Sequence, residues 1–257
     1  CGEFVAVHQR HLAIHQNDLV SVKALYDELS LGRASFGTPT LTNAGTSRPQ
    51  MSSCFLLGIE SDSIVGIYDS LKETALISQS AGGVGLHVSN VRAKGSLIKS
   101  SQRKGSGIIP MLKNFDDTAA YVDQGGKRKG AFAVYLEPWH ADVLDFLAAK
   151  DPTSTEERRL PNLFLALWVN DLFMKRVDAD ADWSLFCPTD CPDLQDLVGE
   201  DFEKAYVEYE NKGLARNKIK ARDLYQKMMH IQYKSGNPYV GFKDHANRKS
   251  NQKNLGT

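Results

Sequence analysis

Residues 54–88 read CFLLGIESDSIVGIYDSLKETALISQSAGGVGLHV. The stretch opens on a short apolar run, Cys54–Ile59, crosses four polar residues and enters a segment of helical period. There Ile64, Ile67, Tyr68, Leu71 and Ala75 share one face, which predicts a helix over 64–78. A second apolar run, Val84–Val91, follows. Strand, helix and strand in close succession is the pattern of a βαβ unit.

The alternation continues outward. Apolar runs recur at 131–136, 163–169 and 239–242, with helical patterns at 108–122, 141–150 and 171–177 between them. Residues 202–211 and 221–234 fill the last crossover. Runs of continuous rather than alternating apolar residues, separated by helices, predict one α/β domain whose parallel sheet is covered on both faces. Such an open sheet leaves edges that need cover. Upstream, Leu19, Val20, Val22, Leu25, Tyr26 and Leu29 predict a helix over 10–31, and the turn-rich GTPTLTNAG of 37–45 predicts a loop.

Bulk properties exclude several classes. The 257 residues are 42% hydrophobic and 24% charged, as in globular proteins, and 31 basic residues balance 31 acidic ones. No global charge draws the chain to nucleic acid or membrane, so an anion site must come from local clustering. No apolar run approaches the ~20 residues of a membrane span, and there is no signal peptide. Four cysteines are too few for a disulfide scaffold of this size, which predicts a reducing, cytoplasmic setting. The chain opens on Cys1 rather than Met and ends on Asn254-Leu255-Gly256-Thr257, the look of a piece of a longer chain.

Local motifs leave paired readings open. Cys54, behind Ser52 and Ser53, is either an ordinary buried thiol at a strand start or a redox group displayed at a site. At the other end of that strand, Asp62 or Ser63 suits a helix N-cap, or the loop receives a polar or phosphate ligand. A nucleotide-loop reading of QSAGGVGLHV (79–88) fails, because phosphate loops run from strand to helix and this one runs from helix to strand. Gly82 and Gly83 are expected to close the helix in a left-handed cap, and their bareness would let a sugar lie against the backbone. RAKGSLIKSSQRKGSG (92–107) carries Arg92, Lys94, Lys99, Arg103 and Lys104 with no acid, and predicts an unpacked basic loop. DQGGKRKGAF (123–132) is a second such loop, and two of them flanking one sheet suggest a shared polyphosphate ligand. Cys187 and Cys191 have a spacing seen at metal sites but lack a second ligand pair, so no metal is expected. The seven histidines form no HExxH array, and there is no Gly-x-Ser-x-Gly elbow.

Six blocks then fall in a familiar order: TPTLTNAGTSRPQMSSCFLL, DSIVGIYDSL, SAGGVGLHVSNVRAKGS, YVDQGG, YLEPWHADVLDFL and DHANRKSNQKNLGT. From about residue 12 to 257 the chain resembles the class I ribonucleotide reductase large (catalytic) subunit. The resemblance implies a ten-stranded α/β barrel built of two five-stranded halves. The strands read here match the first half, with residues 1–36 ending an N-terminal helical region and 37–257 forming the incomplete half-barrel. The implied activity is reduction of ribonucleoside diphosphates to deoxyribonucleoside diphosphates by thiol and thiyl-radical chemistry.

Carried over by position, Cys54 matches the cysteine that reduces the ribose 2′-carbon and then pairs with a second cysteine. Thr38 and Ser53 match substrate-holding residues, and Gly83 matches a backbone contact to the ribose. Asp62, Ser63 and Ile64 match residues that hold the deoxyribose and base of a dNTP effector, and Arg92 matches an effector phosphate ligand. Gln124 and Arg128 match the loop that relays effector identity to substrate choice. Implied partners are the remainder of the catalytic subunit, a metal-containing small subunit that generates the radical, thioredoxin or glutaredoxin as reductant, ATP or dNTP effectors, and a second copy meeting through the helix after residue 63. No metal or cofactor bound by this chain, no nucleic acid and no membrane contact is implied. In the family the pattern runs on past NQKNLGT to the radical cysteine, an asparagine, a glutamate and the second redox cysteine. A tyrosine pair, a further phosphate-binding stretch and a cysteine tail come later, and some members open with an ATP-cone. None falls within these 257 residues, so the chain alone is expected to be inactive. Two other readings are a stand-alone dNTP-binding module without turnover and a cobalamin-dependent reductase. YLEPWHADVLDFL and MKRVDADADWSLFCP look more like the small-subunit-dependent class.

Overall fold

A computed structural model describes residues 19–47, 49–80, 82–98, 102–122, 131–252 and 254. They fall into two units, one ending at Ser52 and one starting at Ser53. The first holds α1 (Leu19–Ser30), the described part of the helix expected over 10–31. The stretch expected as a loop contains instead a short helix, α2 (Thr38–Asn43). Proline in the first turn supplies a helical φ and needs no acceptor for a missing N–H, which favours a helix start there. Thr42 Oγ1 donates back to Thr38 O (3.0 Å), and Asn43 Nδ2 donates to Gln50 O (2.6 Å), so turn-forming side chains close the short helix.

In the second unit the chain runs β1 (Cys54–Gly58), α3 (Ile64–Gln79) and β2 (Gly83–His87). A hairpin of β3 (Leu97–Ile98) and β4 (Arg103–Lys104) precedes α4 (Ile108–Tyr121), β5 (Phe132–Leu136), α5 (Val143–Ala148) and β6 (Phe164–Val169). The last crossover carries α6 (Asp171–Asp178), β7 (Asp182–Leu185), α7 (Gly199–Asn211), β8 (Asn217–Lys220) and α8 (Ala221–Ser235). The chain then enters β9 (Tyr239–Phe242) and α9 (Lys243–Lys249).

Five strands form a parallel sheet, as the sequence pattern predicts; they lie in the order β1-β2-β5-β6-β9, and the barrel is not closed. The expectation that helices cover both faces is corrected. Each crossover steps the same way along the sheet, and crossovers of the usual right hand then set every helix on one face. Burial follows that arithmetic: Val84, Leu86, Phe132, Val134, Leu165 and Leu167 are buried in the core. On the other face Leu56 is 86% exposed. Continuous apolar runs arose because that second face is also apolar, with no layer over it among the described residues.

Other differences have local causes. The expected strand 84–91 ends at His87, because Ser89 Oγ accepts from Glu137 N (3.0 Å) and Asn90 Nδ2 donates to Ile59 O, turning the backbone out of the ladder. The basic stretch expected to be unpacked is anchored by the β3–β4 hairpin, with Gly105 N donating to Ser96 O (2.7 Å). Residues 99–101 lie outside the described residues. Gly82 and Gly83 form no left-handed cap, since neither has a positive φ. Gly82 is small because a Cβ there would stand 2.6 Å from Ile77 Cγ2 and 2.8 Å from Phe55 Cε2.

Candidate functional site

The amino ends of β1 and β2 bring Ser53, Cys54 and Gly83 together. Cys54 pairs in register with Gly83, and Gly83 N donates to Ser53 O (2.8 Å). The Cys54 thiol is free and exposed, with Ser53 Oγ donating to its Sγ across 3.6 Å. Next to it Gly83 leaves a bare patch on the open face. A Cβ on Gly83 would meet nothing closer than 3.6 Å, and the row beyond runs Leu56, Gly85, Ala133, Phe164. A flat substrate ring could reach the backbone here without displacing a side chain. The next row, Gly58, His87, Tyr135, Ala166 and Tyr239, is bulkier. Tyr135 stands edge-on to Trp168 (6.0 Å between centroids), and Phe164 stacks on Tyr239 (6.1 Å). An exposed thiol beside side-chain-free Gly83, with aromatic rings further along the face, is suited to a sugar or base held against the sheet.

At the opposite end of β1 the sequence-predicted effector residues also meet. Ser63, not Asp62, caps α3: its Oγ accepts from Gly66 N (3.1 Å) and lies 2.8 Å from Ser61 Oγ. Asp62 is thereby freed for Arg92, whose Nε donates to Asp62 Oδ2 (2.6 Å) and whose Nη2 donates to Asp62 O (2.8 Å). The Arg92 backbone N–H reaches the same carboxylate at 3.2 Å. Both side chains are partly exposed, at 24% and 20%. Ile64, in the first turn of α3, is 72% exposed. Thr38 opens α2 in the first unit. Gln124 and Arg128 lie outside the described residues.

Residues 52–257 match the family model of the ribonucleotide reductase barrel domain. This chain belongs to the ribonucleotide reductase barrel family. It is 53% identical over 247 residues to the ribonucleoside-diphosphate reductase large subunit of Caenorhabditis elegans, covering 96% of this chain and 31% of that one. The large subunit of Arabidopsis thaliana is 53% identical over 96% of this chain and 30% of its own. The large subunit of vaccinia virus is 51% identical, with 96% and 32% covered. The chain thus spans about a third of the length of these relatives.

Within this barrel segment, sequence reading missed a second set of residues at the carboxyl end of the sheet. Glu137 and Lys243, 0% and 1% exposed at their side chains, form an ion pair of 3.0 Å between the ends of β5 and β9. Trp139 Nε1 donates to the other Glu137 oxygen (2.9 Å), Lys243 Nζ donates to Gln195 O, and His87 Nε2 lies 3.6 Å from the carboxylate. Asp244 accepts from Asp171 N (2.6 Å) and Gly199 N (2.8 Å), so one carboxylate serves the amino termini of α6 and α7. Asn170, at the N-cap of α6, is buried with neither side-chain amide atom partnered. The signal in the sequence was EPWHAD (137–142), a dense polar run directly after a buried strand.

Cys187 and Cys191 are free and buried, and among the described residues no cluster of metal-binding side chains exists. Burial pushes the Cys191 thiol up to about 12, far from a reactive thiolate. Cys187 instead serves as an acceptor, for Ala93 N at 3.3 Å. Among the described residues no helix is long and apolar enough to cross a membrane.

Proposed function

We propose that this chain supplies the first part of a ribonucleotide reductase catalytic barrel that reduces ribonucleoside diphosphates to deoxyribonucleoside diphosphates. Thr38, Ser53 and Gly83 hold the substrate, and Cys54 delivers reducing equivalents at the ribose 2′-carbon. The C2′–OH bond gives way to C2′–H and the hydroxyl leaves as water. Cys54 and a second cysteine, supplied from outside these residues, become a disulfide that thioredoxin or glutaredoxin reduces. The radical that starts the chemistry comes from a metal-containing small subunit. Asp62, Ser63, Ile64 and Arg92 bind a dNTP or ATP effector, Gln124 and Arg128 relay its identity, and the enzyme works in the cytoplasm as a homodimer. The exposed apolar residues Ile64, Val65 and Tyr68 on α3 support that dimer contact.

The observation that carries the reading is the exposed Cys54 thiol, in register with side-chain-free Gly83 on an uncovered sheet face. A purified 257-residue chain given dithiothreitol and a small subunit is expected to form no deoxyribonucleoside diphosphate, and turnover would overturn the proposed dependence on the remainder. In the complete large subunit, Cys54→Ser is expected to abolish turnover while keeping dTTP binding. Asp62→Ala is expected to lose dTTP binding, and an unchanged affinity would remove the effector assignment.

A further inference from the structure

The backbone on both sides of Arg92 is gripped by three buried side chains that come from distant parts of the chain. Before it, Val91 O faces His140 Nε2 at 2.8 Å. After it, Ala93 N donates to Cys187 Sγ (3.3 Å), and Lys94 N donates to both oxygens of Asp142 (3.0 and 3.1 Å). Asp142 also accepts from Ile108 N (3.1 Å), so one carboxylate holds both stems of the basic hairpin, where it leaves β2 and where it enters α4. His140 and Asp142 are themselves joined, since Asp142 N donates to His140 Nδ1 (3.1 Å). That bond makes Nδ1 the acceptor and leaves the proton on Nε2, facing Val91 O. Gly107 closes the arrangement: its φ is +84°, and a Cβ there would stand 2.6 Å from Asp142 Oδ2 and 3.0 Å from Lys94 N.

We propose that His140, Asp142 and Cys187 form a backbone clamp that aims Arg92, with Asp142 as its main positioning residue for an effector phosphate. The inference rests on the reading of Asp62 and Arg92 as effector ligands and adds residues that this reading does not contain. A carboxylate that accepts several backbone N–H groups is among the stronger hydrogen-bonding arrangements available to a loop. The three side chains act on the backbone of a stem rich in Gly, Ser and Lys, alongside the Asp62 contact to Arg92 N (3.2 Å) and the hairpin bond from Gly105 N to Ser96 O (2.7 Å). A guanidinium recognises phosphate by directed N–H bonds, so a shift of its Cα of about an ångström forfeits much of the contact. Asp142 touches no ligand in this scheme. It acts through the hairpin.

The test uses the full-length large subunit carrying this segment, with dTTP and thymidine as probes. Asp142→Asn replaces one acceptor oxygen by a donor that opposes the backbone N–H groups. It is expected to weaken dTTP binding on the order of tenfold, with thymidine affinity changed less than about twofold. Asp116→Asn is the control, because Asp116 is a buried carboxylate that likewise accepts two backbone N–H groups, from Asn162 (2.8 Å) and Leu163 (3.2 Å), away from Arg92. It is expected to leave the ratio of dTTP to thymidine affinity unchanged. Should Asp142→Asn fail to fold, Cys187→Ala removes the Ala93 acceptor and is expected to lower the same ratio by about two- to threefold. An unchanged ratio in the folded clamp variants, or an equal fall in Asp116→Asn, overturns the clamp. Arg92→Ala separates the two layers: if it leaves dTTP binding intact, the effector reading fails. If it weakens binding while Asp142→Asn does not, only the clamp fails.

Discussion

The two ends of the parallel sheet are built on opposite plans. At the amino end, Cys54 is exposed and Gly83 carries no side chain, over a face with no covering layer among the described residues. At the carboxyl end, Glu137, His140, Asp142 and Lys243 are buried, and each makes hydrogen bonds within the chain. About 13 Å of strand separates these ends in β1, at the usual rise per residue. These four buried side chains are held by hydrogen bonds, and the exposed thiol stands where few contacts depend on it. The division lets the proposed redox residue meet substrate and a partner cysteine without loosening the frame.

The most direct way to break the contrast is to disrupt the buried pair at the carboxyl end. Lys243→Met leaves the Glu137 carboxylate buried opposite an apolar group, and a loss of about 3–5 kcal/mol is expected in urea unfolding. Adding Glu137→Gln removes the uncompensated charge and is expected to recover part of that loss. If Lys243→Met shifts the midpoint no more than an ordinary surface substitution, the carboxyl end is not where stability resides.

The amino end admits a sharper comparison between adjacent glycines. Gly82 faces the helix side, where a Cβ would overlap Phe55 and Ile77, so Gly82→Ala is expected to cost about 1–3 kcal/mol. Gly83 faces the open side, and Gly83→Ala is expected to stay within about 0.5 kcal/mol. In the complete enzyme the order is expected to reverse for substrate affinity if Gly83 contacts the ribose as proposed, with Gly83→Ala raising KM and Gly82→Ala changing it little. Equal stability costs would mean that the open face is packed.

This contrast also marks what was legible in the sequence. The runs at 54–59, 84–91, 131–136, 163–169 and 239–242 announced the five strands and their parallel pairing, because continuous apolar segments separated by helices admit few other arrangements. Burial of a single face did not show, since Leu56, Tyr135 and Trp168 are apolar on the uncovered side as well. The antiparallel β7–β8 pair was hidden because NKIK and DWSL are too short and too polar to read as strands. Of the candidate site, Cys54, Gly83, Asp62 and Arg92 were proposed through family resemblance, which put Asp62 and Arg92 at one effector but did not foresee the direct bond between them. Glu137 with Lys243, and Asp142 with Lys94, are partners far apart in the chain, and such pairings leave no local pattern.

A smaller effect at the carboxyl end comes from pH. Burial lowers the His140 pKa below the ordinary 6.5, against opposing influences from Asp142, the Val91 carbonyl and Glu137, while Arg216 adds to the lowering. The unfolded imidazole therefore takes up a proton before the folded one does. Stability from this group is fully present above pH 6.5 and is lost as pH falls below it. The slope is at most about 1.4 kcal/mol per pH unit, one proton's worth. His140→Gln is expected to flatten that acid limb in urea midpoints measured from pH 7.5 to 5, and an unchanged slope would assign the limb to other groups.

The smallest stability effect, and the clearest chemical one, belongs to Cys54. Its side chain makes one long contact with Ser53, so Cys54→Ser is expected to leave the urea midpoint unchanged within about 0.5 kcal/mol. Reactivity separates it from the other described thiols. Cys187 and Cys191 are buried, and burial holds Cys191 in its protonated form, so neither meets a reagent unless the fold opens. In a Cys1→Ser background, an aromatic disulfide reagent is expected to label one thiol promptly under native conditions. Two more are then labelled at the rate of opening, which Lys243→Met accelerates and Cys54→Ser does not. Prompt labelling of two or three thiols in the wild-type fold would erase the distinction between the two ends. A single fast phase that disappears in Cys54→Ser assigns the prompt reaction to the exposed end of the sheet.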